Sequence, residues 1–135
     1  MTDSNPPRML PEPVHVLIVE DGLFAADAMR IILEDGGYRV SVADTVAMAV
    51  EIGQNDHPYV MLLDLTLPDG DGLAVLAQLD ARGVARPERT IALTGHGDHE
   101  TNERCCSAGC ERVLLKPVSM RALLALVRDT PAAGG

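Results

Sequence analysis

Apolar and polar residues fall in blocks along this chain, and the blocks predict a repeating strand–helix order. Residues 60–63 (VMLL) are an unbroken apolar run that delivers Asp64 and then meets the turn Pro68-Asp69-Gly70. Such a run reads as a strand buried on both faces, with residues 58–63 as its span. Residues 14–19 (VHVLIV) form a second β-branched run, ending on the adjacent acids Glu20 and Asp21. Residues 38–43 alternate apolar with polar in the two-residue period of a strand. Two shorter runs complete the set: 90–93, ending at Thr94, and 113–115, ending at Lys116-Pro117.

Between these runs the period changes to that of a helix. Over 22–35, Ala25, Ala28, Met29 and Ile32 share one predicted face, with Asp27, Arg30 and Glu34 opposite. Gly36-Gly37 is the expected stop. Asp44 or Thr45 can cap a helix over 46–54, and a third helix is predicted over 72–82. The helix expected over 98–108 has almost no apolar stripe beyond Cys105, Cys106 and Ala108, which predicts the weakest packing of the five. Ser119 caps a last helix whose face is Met120, Leu123, Leu124 and Val127, with Leu126 widening its apolar surface. Core packing is the first reading of that width and a homodimer or partner contact the second.

The order is (βα)5 with short loops, which predicts an α/β fold: a flavodoxin-like, doubly wound, five-stranded parallel sheet in the order 2-1-3-4-5. The switch point of that order lies between the first and third strands, where Glu20, Asp21 and Asp64 end. One domain is expected over 14–129, flanked by a Pro-rich tail over 1–13 and a short tail over 130–135.

Composition changes this picture in three places. The only aromatics are Phe24, Tyr38 and Tyr59, so Leu, Val, Ile, Ala and Met must build the core. A net charge of −9 argues against direct nucleic-acid binding, which needs a basic footprint. No apolar stretch approaches the roughly 20 residues of a membrane helix, and the first 13 residues lack the apolar segment of a signal peptide. Cys105, Cys106 and Cys110 fit no even disulfide framework and suggest a reducing compartment, so a cytoplasmic location is expected.

Parallel strands in register gather Glu20, Asp21, Asp64, Thr94 and Lys116 at one edge. Crowded carboxylates repel, and a hard divalent cation such as Mg2+ is the natural remedy. Lysine adds a positive charge and threonine a hydroxyl, a set suited to an anionic phosphoryl group. A carboxylate can itself be the nucleophile in phosphoryl transfer, giving an aspartyl phosphate.

These residues sit in motifs LIVED (17–21), LLDLTLPDGDG (62–72), ALTG (92–95) and LLKP (114–117). In that order the chain resembles the receiver domain of two-component response regulators, of the single-domain, chemotaxis-regulator-like type, over nearly its whole length. The resemblance implies that Asp64 is the phosphoacceptor, taking its phosphoryl group from a sensor histidine kinase or a phosphotransfer protein. It implies Mg2+ bound by Asp21, Asp64 and the backbone carbonyl of Thr66, with Glu20 acting through water. Lys116 would pair with the phosphoryl oxygens, Thr94 would move to hydrogen-bond them, and the Lys116–Pro117 bond would be cis, aiming the lysine inward. Output would pass through protein contacts or a phosphorelay, with the downstream target on about 98–129; no effector domain is expected after the last helix. By this resemblance the chain is a phosphoacceptor, not a turnover enzyme, catalysing only its own phosphorylation and dephosphorylation. Val113 stands where relatives carry an aromatic residue, and Gly95 where alanine is common. Thr66 and His96 occupy positions that tune phosphate hydrolysis in relatives.

The competing class is a receiver-like interaction module that works without phosphorylation, and Val113 is the feature that favours it. A dehalogenase-type phosphatase would need a second Asp where Thr66 stands. His96, His99 and the cysteines match no zinc spacing. A calcium loop starting at Asp69 would put Leu73 and Ala74 where an oxygen ligand and a glycine are needed. No Gly-rich phosphate loop follows the first strand.

Overall fold

The computed structural model describes residues 13–129; the expected tails over 1–13 and 130–135 lie outside the described residues except for Pro13. Elements alternate along the chain as β1 (His15–Val19), α1 (Leu23–Asp35), β2 (Arg39–Ala43), α2 (Val46–Asp56) and β3 (Val60–Asp64). A hairpin of two-residue strands follows, β4 (Thr66–Leu67) and β5 (Gly70–Asp71), then α3 (Ala74–Ala81) and β6 (Arg89–Thr94). The chain closes with α4 (His99–Ala108), β7 (Arg112–Leu115) and α5 (Met120–Arg128). The main sheet is parallel in the order β2-β1-β3-β6-β7. With the hairpin set aside, this is the predicted 2-1-3-4-5 winding.

Alternation along the buried strands sorts the core into two layers. Leu17, Val19, Met61 and Leu63 point to one face and pack with Ala49 and Val50 of α2 and Val75, Leu76 and Leu79 of α3. Val16, Ile18, Val60, Leu62, Ile91 and Leu93 point to the other, against Met29 and Leu33 of α1 and Leu123 and Val127 of α5. β1, β3 and β6 are buried throughout, as their continuous apolar runs require. α4 covers a thinner third patch, Leu65, Ala92 and Cys105, and Cys105 is its only buried residue. The weak stripe in its sequence is thus a weak contact in the fold.

The face of α1 differs from expectation. Ala26, Met29 and Leu33 are buried, while Ala25 and Ala28 are exposed and Ile32 is only half-buried. The larger Leu33 side chain decides the rotation, because its apolar area outweighs that of two alanines. Thr45, not Asp44, caps α2 by accepting the Met48 N–H at 3.1 Å. Asp98 and Ser119 cap α4 and α5 in the same way.

Candidate functional site

The sheet's hydrogen bonding continues past the strand ends and sets the site. The Glu20 N–H donates to the Ala43 carbonyl at 2.9 Å, Leu65 to Leu93 at 3.1 Å, and Lys116 to Thr94 at 2.7 Å. These bonds hold the residues after β1, β3 and β7 in register at one edge. Glu20, Asp21 and Asp64 there each offer a carboxylate oxygen, all within 4.8 Å of one another. Glu20 and Asp64 are buried and Asp21 is exposed.

Lys116 reaches into this cluster from the β7–α5 loop. Its Nζ donates to Glu20 Oε1 at 2.9 Å and to Asp64 Oδ2 at 3.0 Å. Burial pulls the ammonium toward neutrality, but the hydrogen bonds to Glu20 and Asp64 outweigh it and hold the pKa above its ordinary value. One lysine thus bridges two of the three carboxylates and stays charged. The Lys116–Pro117 peptide bond is cis. Backbone groups hold the acids: the Gly22 N–H donates to Glu20 Oε2 at 3.0 Å and the Thr66 N–H to Asp64 Oδ1 at 3.1 Å.

Thr94 lies at the same edge, but its hydroxyl is engaged by its own loop. It accepts the His96 N–H at 3.0 Å and donates to the His96 carbonyl at 3.3 Å. Two clefts flank the acids. One, of about 460 Å3, is lined by Glu20 and Lys116 together with Met29, Leu93, Pro117 and Met120. The other, of about 360 Å3, lies between the hairpin and α4 and is lined by Thr66, Thr94, His96 and Arg104. Val113 is half-buried against Leu65, Ala92 and Cys105.

The hairpin, which the sequence pattern did not suggest, braces the segment after Asp64. The Asp69 carboxylate accepts the Val46 N–H at 2.8 Å and the Ala47 N–H at 3.1 Å, capping α2 from across the fold. Those backbone bonds, Val46 first, lower its pKa. Asp71 pairs with Arg104 of α4. Gly72 crosses directly over β3, where a Cβ would overlap the Asp64 carbonyl oxygen. Gly72→Ala is therefore expected to cost about 2 kcal/mol, the range of overpacked sites. The check is urea unfolding, with the midpoint falling and the slope unchanged.

The three acids also satisfy the donor chemistry of Mg2+, a hard cation that takes carboxylate oxygens and keeps waters. Among the described residues, no helix is long and apolar enough to cross a membrane.

The model of the response regulator receiver domain matches residues 16–128. The chain is 31% identical over 116 residues to the response regulator MprA of Mycobacterium sp. (strain KMS), covering 86% of this chain and 50% of that protein. The polar-differentiation response regulator DivK of Brucella ovis is 28% identical over 114 residues, covering 84% of this chain and 93% of that one. A CheY-like response regulator receiver domain protein from Methanospirillum hungatei superposes with a TM-score of 0.76 at 30% identity, covering 86% of this chain and 91% of that one. The chain thus spans about half the length of MprA and most of DivK.

Proposed function

This chain belongs to the response regulator receiver domain family, and from that premise we propose that it is a Mg2+-dependent switch phosphorylated on Asp64. Receiver domains are phosphoacceptor signalling domains of two-component systems, supplied by histidine kinases or phosphotransfer proteins. The observation that carries the assignment of Asp64 is its position: at the end of the central strand, between Lys116 and the backbone N–H of Thr66, beside two further acids.

In this reading an Asp64 oxygen attacks phosphorus and the bond to the donor's imidazole or acyl oxygen breaks, leaving an acyl phosphate. Asp21, Asp64 and the Thr66 carbonyl would hold Mg2+, with Glu20 acting through water; the ion supplies positive charge to the phosphoryl oxygens. Lys116 stays charged and turns from the carboxylates to the phosphoryl group. Thr94 exchanges its bonds to the His96 backbone for one to the phosphoryl oxygen. With Val113 there is no ring to follow that motion, so the change passes through the backbone and the weakly packed α4 to a partner on about 98–129. The folded domain takes in 14–129, it acts in the cytoplasm, and its catalysis extends only to its own phosphorylation and dephosphorylation.

The test is the intact mass of the protein after incubation with a small acyl phosphodonor and Mg2+. A gain of one phosphoryl group (about 80 Da), lost when Mg2+ is chelated, is expected. Absence of the adduct, and of a complex with beryllofluoride, overturns the proposal in favour of a phosphorylation-independent interaction module.

A further inference from the structure

The C-terminus of α4 brings two cysteines together. Gly109 takes a left-handed φ of 102° and turns the chain back on itself. The Cys110 N–H then donates to the Cys105 carbonyl at 2.9 Å, and the Gly109 N–H to the Cys106 carbonyl at 3.1 Å. This is a Schellman ending, in which the two side chains flanking the turn meet in an apolar contact. Here both of those side chains are thiols.

Standard bond lengths and the 2.9 Å hydrogen bond keep the two Cα atoms no more than about 6.8 Å apart. Disulfides span about 4.4–6.8 Å between Cα atoms. Both side chains pack into one small cluster with Leu65, Ala92 and Val113, so they point into the same space. Each also perturbs the other's ionisation. Cys106, the next residue along the helix, is exposed.

We propose that Cys105 and Cys110 are a redox-modifiable dithiol, which an oxidant of the peroxide class converts to an intramolecular disulfide fastening the end of α4 to the start of β7. One thiol loses its proton, its thiolate attacks a peroxide oxygen and breaks the O–O bond, and the hydroxide that leaves takes up that proton, giving a sulfenic acid and water. The second thiol attacks that sulfur, the S–S bond forms, and a second water leaves. The two thiols together lose two electrons and two protons, and one hydrogen peroxide becomes two waters.

Burial pushes the Cys110 thiol up to about 12 and raises Cys105 as well. Thiolate is therefore scarce while the helix end is closed, and oxidation is slow. α4 has only Cys105 buried, so local opening of its end is cheap and sets the rate. The modification needs nothing from Asp64, but it fixes a corner of the helix through which the switch would act.

The experiment treats the reduced full chain with hydrogen peroxide, then denatures and alkylates it. Expected are a loss of two hydrogens (about 2 Da), reversed by dithiothreitol, and alkylation of one cysteine where the reduced protein shows three. The stretch 105–112 carries all three cysteines, so the Cys106→Ser variant assigns the bond: it should still lose two hydrogens and then take no alkyl group. If that variant stays fully alkylatable, or if the bond in wild type joins Cys106 or links two chains, the proposal is overturned.

Discussion

Asp64→Asn is expected to take phosphoryl acceptance to zero while leaving the fold in place. The substitution keeps the side chain's shape, and an amide oxygen can still accept the Thr66 N–H that Asp64 Oδ1 accepts at 3.1 Å. What it removes is the anionic oxygen that would attack phosphorus, for which an amide is no substitute. It also removes one of three crowded carboxylates, so Lys116 keeps Glu20 and the local repulsion falls. Unfolding by heat should therefore change little in the absence of Mg2+, whereas the stabilisation that added Mg2+ gives by binding the native state should shrink. Intact mass, a melting curve with and without Mg2+, and the far-ultraviolet spectrum check these together. An adduct that persists in the variant would place the acceptor on another residue.

The strands of this fold were legible because burial on both faces leaves a plain trace. Residues 60–63 carry no polar position, and in the fold the whole of β3 is buried. Their termini were legible for the same reason: Glu20, Asp21, Asp64, Thr94 and Lys116 each interrupt or follow an apolar run. Parallel register then carries them to one edge without further information. That step could not give side-chain rotamers. Thr94 is expected to move to a phosphoryl group, and the bonds its hydroxyl makes to the His96 backbone, from which it would have to move, were not legible.

The braces around the site were harder to read. A hairpin of two-residue strands has no period, and the acids of the DGDG stretch could equally be solvated turn residues. Asp69 caps a helix that begins 23 residues earlier, and Asp71 meets an arginine 33 residues later. Such partners are set by tertiary structure, so no local spacing announces them. The rotation of α1 has another origin, since alanines count equally with leucines in a pattern but not in buried area.

Arg89 is the largest such omission, and its loss should be the most destabilising single change considered. It looks like a loop charge flanking a strand, but it is the first residue of β6 and only 4% exposed. Its guanidinium forks onto Glu111 at 2.8 and 2.7 Å and donates to the carbonyls of Leu126 and Val127, each at 2.9 Å. One side chain thus ties the start of β6 to the approach to β7 and caps the end of α5. Arg89→Met would fill much of the same space and leave Glu111 and the Val127 carbonyl without the guanidinium, while the Leu126 carbonyl keeps the Asp129 N–H at 3.2 Å. Arg89 is buried but the Glu111 side chain is 31% exposed, so removing the arginine costs about 3 kcal/mol, the low end of the range for breaking a buried pair from one side. A domain of this size has about 5–15 kcal/mol in all. The melting temperature should fall by on the order of 10 °C or more. Lysine should rescue little, because a point charge cannot form the fork. The pH profile separates the ion pair from simple packing. Hydrogen bonding to Arg89 holds the Glu111 carboxyl below its ordinary value, against the opposing effect of burial. A depressed carboxyl contributes stability that is fully present above the unfolded value of about 4.3 and is lost as pH falls through the folded one. Urea midpoints measured from pH 7 downward should therefore show the gap between wild type and Arg89→Met narrowing below about pH 4. A gap that stays constant with pH would assign the loss to packing alone.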